Sequence, residues 1–256
     1  MRIDCRWIVL GVAFPLLPGC GGEGPAGGGP GGRSDPEKAR AADISALFVG
    51  NSHTRNHDLP ELVCRMVRSL QPGKTAYAHV VGVTFLDDVA RDPRCREEID
   101  TRPWKFVVLQ AQRISQSGRY EYSRAEGIDI AKRARARGAT VLFFSEWGLQ
   151  GVASDGARQE KVYRDMAGAA GAEVVRVGRA WDLALAERPG LPLYEIDGNH
   201  QSAVGAFLSA AVLAGRLSGE SPAPLAAFPC PGVEGKDRQF LADCAAKALA
   251  EEAPNP

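Results

Sequence analysis

ALFVGNSH, residues 46–53, is an apolar run that stops at Gly50 and leaves Asn51, Ser52 and His53 where a β-strand opens into a loop. Four more strand-like runs follow it, at 76–82 (AYAHVVG), 105–110 (KFVVLQ), 139–145 (ATVLFFS) and 173–177 (EVVRV). Segments with helical spacing alternate with them. Asp58-Leu59-Pro60-Glu61 reads as a helix start, an acidic cap with Pro in the first turn and Glu three residues on. The helix it opens would carry Leu62, Val63, Met66, Val67 and Leu70 on one face. Further helices are predicted near 122–137, 156–170, 179–187, 201–218 and 237–250.

Strands rich in Val and Phe, alternating with helices of this length, imply βαβ units and a parallel sheet covered on both faces. The expected fold is therefore α/β, a three-layer α/β/α sandwich with a five-stranded parallel, flavodoxin-like sheet. Open parallel sheets bind ligands in the crevice beyond the carboxyl ends of their strands. The polar residues of interest fall there: Ser52 after the first strand, Gly82 and Thr84 after the second, Gln110 and Gln112 after the third, Glu146 and Trp147 after the fourth. Asp197 and His200 sit in the loop before a helix beginning near Ser202.

The N-terminal part of the sequence carries further information. Arg2 and Arg6 precede the apolar stretch 7–17, which is too short to span a bilayer and has the shape of an export signal. It runs into Leu17-Pro18-Gly19-Cys20, which resembles a bacterial lipobox and marks Cys20 as a lipidation site. The segment 21–35, GGEGPAGGGPGGRSD, lacks the apolar surface needed to fold and reads as a tether. The expected organisation is a lipoprotein signal peptide at 1–19, a Gly/Pro-rich tether at 20–40, and a domain at 41–256, exported and lipid-anchored to the cell envelope. Cys64, Cys95, Cys230 and Cys244 would then occupy an oxidising compartment, where four cysteines allow three pairings. The pairs closing the shorter loops are Cys64 with Cys95 and Cys230 with Cys244.

Lys plus Arg equals Asp plus Glu, 31 each, so no overall field draws the chain to nucleic acid. The membrane is reached only through the anchor. His53 and His57 are four apart but lack the Glu of an HExxH zinc helix, and the cysteines lack CxxC spacing, so neither a metal nor a cofactor is expected.

Ser52 is a candidate nucleophile because the chain also supplies a base and an orienting carboxylate in Asp197-Gly198-Asn199-His200. A serine hydroxyl attacks only when a base takes its proton, and the base works best when a carboxylate fixes its tautomer. The tetrahedral intermediate also needs donors for its oxyanion. The amides of Ser52 and Gly82 and a carboxamide from Gln110 or Gln112 are the candidates. Asn51, His53, Glu146 and Trp147 are placed in the surrounding pocket.

These residues resemble the SGNH or GDSL-type hydrolases, whose blocks carry Ser, Gly, Asn and His in that order. Gly50-Asn51-Ser52-His53 looks like the first block, with Asn51 in place of the usual Asp, and Gly82 in VVGVTF is similar to the second. The run from Trp104 to Gln110 looks like the third, with Gln where most members have Asn; Asp197 to His200 matches the DxxH of the last. The resemblance covers roughly 44–218 and is nearest to an exported bacterial lipoprotein subgroup with a GNSH first block. It implies a serine esterase acting through Ser52, His200 and Asp197 and an acyl-enzyme, on acetyl or other short acyl esters, with acylated carbohydrate as one such substrate. An acyltransferase to glycan and a non-catalytic envelope-binding lipoprotein are the alternatives.

Overall fold

Strand β1 (Ile44–Gly50) is buried along its whole length, as an apolar strand inside a parallel sheet must be. In the computed structural model, which describes residues 32–115, 119–152 and 154–251, it has β2 (Ala76–Gly82) on one side and β3 (Phe106–Leu109) on the other. β4 (Thr140–Phe144) and β5 (Glu173–Val175) complete an all-parallel sheet of order β2-β1-β3-β4-β5. The expected flavodoxin-like sheet is therefore present, with β3, β4 and β5 one or more residues shorter than their apolar runs.

Successive strand side chains point to opposite faces, so the sheet feeds two cores. Phe48, Val108, Leu142 and Phe144 face α3 (Leu59–Leu70), α7 (Val177–Glu187), α8 (Ala203–Ser218) and α9 (Gly235–Ala250). Leu47, Val49, Val107, Leu109 and Phe143 face α1 (Pro36–Ala41), α4 (Pro93–Thr101), α5 (Ala125–Ala136) and α6 (Asp155–Ala170). α8 is apolar on nearly every side and is buried accordingly, wedged among α3, α7 and α9. Its entry is capped by Ser202, whose hydroxyl accepts the amides of Val204 and Gly205.

Three expectations require correction. The folded domain begins before residue 41: α1 packs on the sheet, and Ser34 is buried, giving its amide and hydroxyl to the Glu98 carboxylate. The four cysteines are unpaired. Cys64 on α3 and Cys95 on α4 lie on opposite faces of the sheet, a separation no disulfide spans. Burial pushes both thiols up to about 12, and it also raises Cys230 and Cys244. Asp58 precedes α3 as expected but does not cap it through its side chain, because its backbone and that of His57 are left-handed, at φ 50° and 58°. Cys20, the export signal and most of the proposed tether lie outside the described residues.

Candidate active site

At the carboxyl end of β1 the chain turns straight into α2 (Ser52–Arg55), a single turn of helix with Asn51 as its cap. Asn51 Oδ1 accepts the His53 amide, a role Asn fills as well as the Asp it replaces. Ser52 thus stands at the first helical position, half-buried, with an amide that has no partner inside the helix.

The other half of the site is a hairpin-like loop closed by Tyr194 pairing with Gln201 and by the Glu195 amide on His200 O. Gly198 takes φ 66° at its tip, the conformation that needs glycine here. The Asp197 carboxylate accepts the amides of Asn199 and His200 at 2.9 Å each and the His200 Nδ1–H at 2.5 Å. These three bonds, the one from the imidazole foremost, hold its pKa well below the usual carboxylate range. A carboxylate can only accept, so Nδ1 carries the proton and Nε2 is bare. Nε2 lies 2.8 Å from Ser52 Oγ and accepts its hydroxyl proton. Residues 148 positions apart are brought together in the geometry of a nucleophile, a base and an orienter.

The two glutamines do something other than expected. Gln110 is fully buried, and its Oε1 accepts the Asn51 amide at 3.0 Å and the Thr54 hydroxyl at 2.7 Å. Its Nε2 donates to Glu146. Gln112 gives its Nε2 to the carbonyls of Arg113 and Ser123. Neither carboxamide reaches toward Ser52 as an oxyanion donor; Gln110 instead clamps the nucleophile's turn from beneath. Gly82 is level with Gly50 in the sheet. Val83 N–H pairs with Gly50 O, so strand alternation points the Gly82 amide off that ladder.

Glu146 and Trp147 support the site instead of lining it, being 8% and 2% exposed. Glu146 accepts His53 Nδ1–H at 3.2 Å as well as Gln110, with the fully buried Tyr163 hydroxyl beside it. Burial first, and the Glu146 charge second, push that hydroxyl's pKa well up. The His53 ring packs at 4.9 Å on Trp147 and edge-on at 5.2 Å to His200. Trp147 stacks on Trp181 and donates its indole N–H to Asn199 O at 2.9 Å, steadying the residue before His200. His79, midway along β2, is buried against Trp104.

Three contributors gave no motif signal. Gln201 is fully buried and donates Nε2 to the carbonyls of His53 and Asn56, tying the nucleophile's turn to the base's loop. Thr54 fills the space over Gly50, and Arg55 lies against Gly82. The non-glycine residues with left-handed backbone among those described, His57, Asp58 and Ala111, all flank this site.

No protein-family model matches the chain, and no curated protein matches it. Solved structures do. One is a protein assigned to the SGNH hydrolases from Slackia heliotrinireducens, 24% identical over 67% of this chain and 97% of that one, with a TM-score of 0.52. The fold is that of the SGNH hydrolases. A DUF4886 family protein from Bacteroides uniformis covers 81% of this chain and 95% of its own at 16% identity and a TM-score of 0.62. A mutant of Axe2, an acetyl-xylooligosaccharide esterase from Geobacillus, covers 70% and 95% at 14% identity and a TM-score of 0.56.

Proposed function

We propose that this protein is a serine esterase that cleaves acetyl or other short acyl esters, with acylated carbohydrate as its substrate class. The observation that carries the reading is the unbroken relay from Ser52 Oγ through His200 to Asp197 at 2.8 and 2.5 Å. Ser52 attacks the ester carbonyl while His200 Nε2 takes its proton. The same imidazolium then protonates the leaving alcohol, and water released onto the acyl-enzyme repeats the sequence. Asp197 keeps the proton on Nδ1 throughout and stabilises the cation that forms.

The amide of Ser52, the first in its helical turn and without a partner inside it, is the donor the fold offers to the oxyanion. Gln110 contributes at one remove by holding the Asn51 peptide that precedes the Ser52 amide. Hydrolysis is favoured over transfer to a glycan by the openness of the relay: the His200 and Asp197 side chains are 29% and 46% exposed, which admits water to the acyl-enzyme. The carbohydrate assignment leans on the acetyl-xylooligosaccharide esterase of similar fold and on the export signal. In the same reading the chain is exported and held at the cell envelope by a lipid on Cys20.

Purified protein is expected to hydrolyse aryl acetates and to gain one adduct from a fluorophosphonate, seen by intact mass. Ser52→Ala should abolish labelling and lower kcat/KM by at least about 10³-fold. A wild type that neither hydrolyses nor labels would sink the esterase reading.

A further inference from the structure

We propose that Arg55 forms an anion subsite beside the nucleophile and that the ester substrate carries a carboxylate within its reach. The proposal deepens the esterase reading and rests on it. Ser52 and Arg55 are the first and last residues of α2, three apart, so their side chains share one face of the turn. The Arg55 stem and guanidinium rest on the bare face of Gly82: a Cβ there would stand 3.5 Å from Cδ and 3.7 Å from both Nε and Nη1. Arg55 is thus held against the strand end that borders the nucleophile, with its charge in solvent.

Arg55 is exposed, and its guanidinium has neither an ion pair nor a hydrogen bond among the described residues. Carboxylates are not scarce, since the chain has as many as it has cations. Two that lie toward this side of the molecule are already taken, Asp92 by Arg94 and Asp87 by Arg113. Arg94 also reaches Gly82 O at 3.5 Å, so Gly82 lies between two guanidinium groups of which only one is neutralised. The result is a local positive spot on a molecule with no net charge, where a substrate's own charge is the missing partner. Arginine suits that partner, because its planar fork matches a carboxylate in two parallel bonds and is weakly hydrated.

Two pairs of matched esters test this and locate the charge. An aryl hemisuccinate against an aryl butyrate reports on the acyl side. Acetylated glucuronic acid against acetylated glucose reports on the alcohol side. The wild type is expected to favour the anionic member of one pair about two- to fivefold in kcat/KM at low salt, the range of a solvent-exposed charge pair with good geometry. About 0.5 M NaCl should shrink the preference. Arg55→Gln should bring the ratio of the two members close to one, and Arg55→Lys should retain part of it. Calorimetry on Ser52→Ala supplies a readout independent of turnover: the anionic ester should bind several-fold more tightly than its neutral partner, and Ser52→Ala with Arg55→Gln should lose that difference. Equal rates and affinities for both members of both pairs in the protein carrying Arg55, or a preference that survives Arg55→Gln, would overturn the subsite while leaving the esterase reading standing. Arg55-dependent binding in a wild type that hydrolyses nothing would do the reverse.

Discussion

Asp197 decides which nitrogen of His200 is left free to accept from Ser52. Its Oδ2 can only accept, which leaves Nε2 bare toward Ser52. Asp197→Asn preserves shape but offers an amide N–H to Nδ1, driving the proton to Nε2, where it blocks the serine. We expect kcat to fall about 10²- to 10⁴-fold, with fluorophosphonate labelling slowed in parallel, in a steady-state assay near neutral pH. The pH dependence has a definite sign. A depressed carboxylate pKa means that the contribution of Asp197 to stability is complete above its ordinary value, about 3.9, and is lost only as pH falls through the lowered one. Its carboxyl carbon, followed by NMR, should therefore titrate below the range of the unfolded chain. The meeting of Ser52, His200 and Asp197 was legible in the sequence because each sits beside a strand or helix end, where a side chain has few places to go. Gln110 was not. A polar residue ending a strand can face solvent or turn inward, and here the choice is made by Glu146, 36 residues away.

The strand ends form the unit that holds the Ser52 turn. β1, β3 and β4 finish side by side, and one buried network runs from the Asn51 amide through Gln110 to Glu146 and His53. Gly50 is the place where this unit has no slack. A Cβ there would stand 2.1 Å from Thr54 Oγ1 and 2.6 Å from Gln110 Oε1, inside any tolerable contact. Its glycine is required for space alone, since its φ is not among the left-handed ones. Gly50→Ala should push the Thr54 hydroxyl off Gln110 and Gln110 off the Asn51 amide, lowering stability by about 1–3 kcal/mol through strain and unpaired buried groups. In urea the midpoint should fall with its slope unchanged, and the labelling rate of Ser52 should drop at least tenfold. Gly168, within α6, offers the contrast: nothing lies within 4 Å of a Cβ there, so Gly168→Ala should raise stability by about 0.5–1 kcal/mol. The parallel sheet itself could be read from apolar runs alternating with helices. The tightness at Gly50 could not, because it depends on two side chains that the strand pattern leaves unspecified.

At the scale of the whole molecule, the domain is clasped at the end of the sheet remote from Ser52. Ser34 donates its amide and hydroxyl to Glu98, the Asp35 amide donates to the Tyr77 hydroxyl, and Arg102 Nε donates to Ser34 Oγ. Composition placed the domain boundary near residue 41 because the preceding segment is rich in Gly and Pro and poor in apolar residues. A buried polar contact across 64 residues leaves no trace in such a count. The clasp matters to folding because Glu98 is only 4% exposed. A chain that begins at Ala42 would strip this carboxylate of both Ser34 donors and uncover the surface beneath Ala39, at a cost of about 2–4 kcal/mol. At about 2–4 °C per kcal/mol for a domain of this size, its Tm should lie roughly 5–15 °C below that of a chain beginning at Gly32. Tyr77 and Gly82 are five residues apart on one strand, about 16 Å, so the loss should not reach the triad. Well below either Tm the two chains should have the same kcat/KM toward an aryl acetate. Equal melting temperatures would mean that the clasp adds nothing to folding, and unequal rates in the cold would mean that it is coupled to the site.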